Sequence, residues 1–250
     1  MATAVKLSPA QRVEQVEQLT ANEWETAITQ HPFTRELAAG TLAKELVLEY
    51  FRQLYPTVQE INASLTYLYL RFIDFWKAHP GLEAEFTDKL AEELAYPKGG
   101  GHIRLLWPLA EGLGLPIDEM LYCKLLPGAR AYTDWPYRIV REGTLAECFA
   151  WQLMEKHIGV DFGAIMGGQL QRVYGLTLDQ VRFYTLHQEA DLEHGPGNAN
   201  MLRRALEAGY TEERASYGLE YCALMTVHAF RLLLDAIWAV SYTHLRAHET

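Results

Sequence analysis

The sequence predicts an all-α protein. Apolar residues recur at helical spacing almost throughout its 250 positions, alternating runs of β-branched residues are scarce, and Pro or Gly punctuates the chain at helix-length intervals. A first helix is expected over 9–30, with Ser8 as N-cap and Pro9 at its first position, ended by His31-Pro32. A long helix over 42–78 follows, with a bend expected at Pro56, and then one over 83–96. After the PKGGG break, a helix over 102–113 stops at Gly114. Later helices are expected over 117–125, 135–158, 162–174, 178–194, 199–208 and 212–239, with Gly195 and Gly209 as breaks.

No internal repeat, low-complexity stretch or long linker divides the chain, so residues 1–239 read as one helical domain. Residues 240–250, VSYTHLRAHET, depart abruptly from the apolar run before them and resemble a translated sequencing adapter. They are read as a non-native tail, which sets His244 and His248 aside as ligand candidates.

Composition narrows the function. At 49% hydrophobic and 22% charged, a chain of this length can fold around one core without disulfide staples. Its three cysteines, Cys123, Cys148 and Cys222, form no CxxC pair, which disfavours a thiolate zinc site and points to a reducing cytoplasm. No unbroken apolar run of roughly 18 residues and no signal-peptide core are apparent, so neither export nor a membrane partner is expected. The formal net charge of -10 disfavours nucleic acid, because few cations would neutralise its phosphates.

Chemistry concentrates in FYTLHQEADLEHG. His187, Asp191 and His194 stand at i, i+4 and i+7, within roughly 60° of one another around a helix. Two imidazoles and a carboxylate on one face suit a divalent first-row metal, although a polar solvated face is the blander reading. Glu92 and Glu93 end one helix and His102 opens the next, so the glycine turn between them can join carboxylate to imidazole. Glu155 lies in a largely apolar stretch where burial would demand a partner, and Glu147, two turns earlier, is its rival. No ExxH motif occurs, which argues against a ferritin-like di-iron site. Arg130 and Arg138 are candidates to receive a substrate carboxylate, with surface ion pairing as the alternative. The aromatic run Tyr67, Tyr69, Phe72, Phe75 and Trp76 is expected to be core, with a pocket wall as its other reading.

Three segments in order, HPFTRELAAGTLAKELVLEYFRQLYP, GGGHIRLLWPLAEGLGL and FYTLHQEADLEHG, resemble the heme-oxygenase-like superfamily. That group includes pyrroloquinoline-quinone synthase, thiaminase II and the iron-containing di-metal oxidases. The resemblance extends over about 31–239 and implies a single-domain bundle of about seven core helices. The oxidase branch carries a His-x3-Asp-x2-His helix, which His187, Asp191 and His194 match. By the same resemblance Glu93, His102 and Glu155 complete a six-ligand set for two Fe(II) ions, with Mn as the alternative metal. The gap from Glu93 to His102 is long for the family. Asp191, with its short reach, would be the labile ligand, and His31 and Tyr184 are pocket candidates by family position; His79, His157 and His228 receive no role. The implied function is a non-heme di-iron oxidase or oxygenase that uses dioxygen on a small carboxylate-bearing metabolite, in a chain that can form a homodimer. The alternatives are a metal-free oxidase like pyrroloquinoline-quinone synthase and a hydrolase like thiaminase II, whose cysteine nucleophile has no evident counterpart with a paired base here.

Overall fold

Helix α1 (Pro9–Trp24) begins as its sequence dictates: Gln11 N donates to Ser8 Oγ and Ser8 N donates to Gln11 Oε1, a capping box ahead of Pro9. A π-helical turn over Glu25–Thr29 extends it. The computed structural model describes residues 7–96, 98–210 and 217–247, and the side chains of these outside 189–196 and 241–247. Every regular element among the described residues is helical.

His31 caps a short helix, α2 (Pro32–Ala39), by accepting from Phe33 N on Nδ1 while its Nε2 lies 3.0 Å from Asp235 Oδ1. It is therefore a cap and not a pocket residue. Helix α3 (Lys44–Arg71) runs through Pro56, because Gln53, Tyr55 and Thr57 around it are buried and packing outweighs one lost hydrogen bond. The expected long helix ends instead at Phe72, and a short α4 (Ile73–Ala78) follows. His79, kept out of the helical region before Pro80 (φ -133, ψ 64), separates α4 from α5 (Pro80–Leu94). A 3-10 turn (His102–Leu105) leads into α6 (Leu106–Leu113), which Gly114 stops in the left-handed conformation. A short α7 (Ile117–Leu121) precedes α8.

The helix expected over 135–158 is three elements: α8 (Pro127–Glu142), α9 (Leu145–Gln152) and a π-helical turn (His157–Phe162). Thr144 and Glu147 form a second capping box that restarts the chain after Gly143. Helix α10 (Gly163–Tyr174) agrees with expectation. Two expected helices merge into α11 (Arg182–Glu207), which continues past Gly195, and the last helix, α12, spans Leu219–Ala247 instead of 212–239.

Helix α12 packs on α8, α9 and α1, and α11 on α9 and α1, while α3 lies along α8. Residues 219–240 are long and apolar enough, by length and composition, to cross a bilayer, although Arg231 and Asp235 interrupt the apolar run. In the fold Cys222, Thr226, Phe230, Leu233 and Ile237 bury one stripe of that helix in the bundle. The α8–α12 contact depends on Gly128, whose added Cβ would meet Leu232 O at 1.9 Å.

Candidate metal site

Glu93, from the last turn of α5, and His187, from the second turn of α11, line a cavity, and buried His102, from the 3-10 turn, meets them beside it. His102 Nδ1 lies 3.3 Å and His187 Nε2 3.7 Å from Glu93 Oε1, and one ligand atom from each residue fits within 4.8 Å of the others. The eight residues between Glu93 and His102 close the gap through a tight glycine turn. Gly99, Gly100 and Gly101 all have positive φ, and a Cβ on Gly101 would stand 2.1 Å from Glu93 O. Only glycine lets the strand of chain before His102 lie against the end of α5.

The remaining contacts orient these donors. His187 Nδ1 is 2.7 Å from Phe183 O, so that nitrogen carries a proton and donates, which turns Nε2 towards Glu93. Asn62 on α3 donates to Glu93 Oε2 at 3.0 Å. Burial alone would raise the Glu93 carboxyl. The His102 hydrogen bond and the charges of His187, His102 and Lys89 outweigh it and hold the group at about 2. An ionised carboxylate and two imidazoles gathered beside a cavity form the donor set that suits non-heme Fe(II) or a similar divalent ion.

The adjoining cavity has a volume of about 130 Å³. Tyr50, Tyr132, Phe162, Phe183 and Tyr184 supply much of its wall, so Tyr184 lies where family position suggested. Burial pushes the phenols of Tyr50, Tyr132 and Tyr184 upward, and they remain protonated at neutral pH.

Glu155 lines the same cavity but stands outside the three-residue cluster. Its Oε2 accepts from Lys89 Nζ and from Asn198 Nδ2, the latter at 2.8 Å. Asp191 and His194 follow His187 along the α11 backbone, and their side chains lie outside the described residues.

Other candidates fall elsewhere. Glu93, rather than Glu92, faces the imidazoles. Glu147 is fully buried in structural work, accepting from Thr144 N, Tyr217 N and Gly218 N at 2.7, 2.9 and 2.6 Å. Arg130 pairs with Glu60 and Asp134, and Arg138 with Glu142 and Tyr217, and neither lines the cavity. Tyr69 and Trp76 stack with Phe86, Phe75 is buried, Phe72 packs edge-on to Tyr210, and Tyr67 is exposed, so that run is not the pocket wall. His79 bonds Phe75 O, His157 bonds Asp161, and His228 approaches Glu23, all as structural or surface groups. Asn62 and Lys89 were missed from the sequence. Lys89 had one available signal, its i, i+4 spacing to Glu93 on the same helix.

Residues 19–156, which include Glu93, His102 and Glu155, match the sequence model of the TENA/THI-4/PQQC family. The chain belongs to that family. Solved structures agree on the fold. A heme oxygenase-like domain from Shewanella denitrificans OS217 superposes with a TM-score of 0.69 at 18% identity, covering 94% of each chain. A TenA homolog from Pseudomonas syringae pv. tomato DC3000 gives 0.67 at 11% identity over 90% of this chain and 92% of its own. A CADD-like protein from Nostoc punctiforme PCC 73102 gives 0.69 at 15% identity, over 91% and 96%. Among curated proteins, none is significantly similar to the chain. The expected heme-oxygenase-like, all-α fold is thus the observed one.

Proposed function

We propose that the chain is a non-heme iron oxidase or oxygenase that uses dioxygen on a small molecule with an apolar body. The observation that carries this reading is the Glu93–His102–His187 cluster, two of whose members, Glu93 and His187, line a mostly apolar cavity. Iron held there would supply dioxygen activation. Glu93 offsets its charge with one oxygen while Asn62 fixes the other, and His187 is oriented through its bond to Phe183 O. Phe162, Phe183 and Leu54 exclude water from the reacting face, and the neutral phenols of Tyr50 and Tyr184 can donate hydrogen bonds into the cavity.

The hydrolase alternative needs a nucleophilic cysteine near the cavity. Cys123, Cys148 and Cys222 do not line it, and burial pushes the thiol of Cys148 up to about 12 and raises the other two. Anaerobic Fe(II) titration, followed by stopped-flow mixing with dioxygen, tests the proposal. Iron binding that His187→Ala abolishes, with a transient visible band after mixing, supports it. Absence of bound iron would move the chain to the metal-free reading.

A further inference from the structure

Lys89 lies one helical turn before Glu93 and is 6% exposed, so its head has no path along the surface to water. All three of its N–H groups have oxygen acceptors: Gln152 Oε1 at 3.0 Å, Asn198 Oδ1 at 3.3 Å, and Glu155 Oε2. Gln152 and Asn198 are themselves almost wholly buried, and Asn198 Nδ2 also donates to Glu155 Oε2. These oxygens make a cage beside the Glu93 cluster, and an ammonium fills it. A divalent ion approaching Glu155 would have to expel a satisfied cation and leave buried amide oxygens without donors. The six-ligand, two-metal set suggested by resemblance therefore does not fit the described residues at Glu155.

We infer that Lys89 stands in for a second metal ion, so that the chain holds one metal, at Glu93, His102 and His187, and not two. This rests on the metal-dependent reading above. Its first consequence is that Glu155 is a positioning residue that holds Lys89 on the cavity wall. Its second is that removing the ammonium opens a second site.

The test is anaerobic equilibrium dialysis of the full chain against Fe(II), with bound metal counted by elemental analysis. Mn(II) electron paramagnetic resonance provides the second readout, because neighbouring Mn(II) ions couple and a single ion does not. One metal per chain is expected for the wild type, two for Lys89→Met, and one again for Lys89→Met combined with Glu155→Gln. Lys89→Gln, closer to lysine in polarity, replaces Lys89→Met if circular dichroism shows that variant unfolded. Two metals in the wild type, or one in the folded Lys89 variant, would overturn the inference and leave the metal-dependent reading intact. No metal in any form would overturn both.

Discussion

Gly101→Ala tests how the glycine turn builds the cluster. The new Cβ would stand 2.1 Å from Glu93 O, whereas ordinary contact begins near 3.4 Å, so the turn must retreat by about 1.3 Å. His102 is the next residue, and its 3.3 Å approach to Glu93 would open beyond 4 Å if it followed that retreat. Alanine at φ +74 and ψ -177, a conformation that essentially only glycine adopts, costs about 1–3 kcal/mol in backbone strain. The displaced contacts add about 1–3 kcal/mol. Gly114→Ala is the comparison variant: at φ +75 and ψ 25 it carries only left-handed helical strain, with nothing within 4 Å of its added Cβ. Urea denaturation should place Gly101→Ala below Gly114→Ala by about 1–3 kcal/mol. Dialysis against Mn(II) should show metal affinity weakened about 10–100-fold in Gly101→Ala only. Equal stability and equal metal affinity in the two variants would refute the claim that the close approach at Gly101 assembles the site.

Glu93 has a folded carboxyl at about 2 against an ordinary 4.5, so its contribution to stability is complete above pH 4.5 and is lost as the pH falls towards 2. That difference corresponds to about 3 kcal/mol, and Glu93→Gln should flatten the stability curve across this window, as read by denaturation at stepped pH. Glu147→Ala leaves three backbone donors without their carboxylate, and a loss of about 3 kcal/mol or more is expected in thermal or urea unfolding, with metal stoichiometry unchanged. Gly128→Val should prevent the close α8–α12 crossing and lower the melting temperature, since even a Cβ there meets Leu232 O at 1.9 Å. A thiol reagent should label Cys123 alone in the native chain and all three cysteines after unfolding, because Cys148 and Cys222 are buried.

Much of the fold was legible because helices announce themselves locally. Ser8, Pro9 and Gly114 marked boundaries that the structure keeps. The capping box at Thr144 and Glu147 was equally present in the sequence, and it explains both the split between α8 and α9 and why Glu147 is unavailable to a metal. The Gly195 break was a reasonable local expectation that tertiary packing overrides: Asn198, Met201, Leu202 and Ala205 are buried and carry α11 onward.

The sequence by itself determined an all-helical chain, the face of the helix that carries His187, and a glycine turn able to bring His102 back to Glu93. These depend on spacings of a few residues, which backbone geometry converts directly into proximity. Only the tertiary structure decided that Arg130 and Arg138 lie away from the cavity and that Lys89 meets Glu155 across 66 residues of chain. Such contacts arise from how α5, α9 and α11 pack together, and no local spacing encodes which polar atoms that packing will bury against one another.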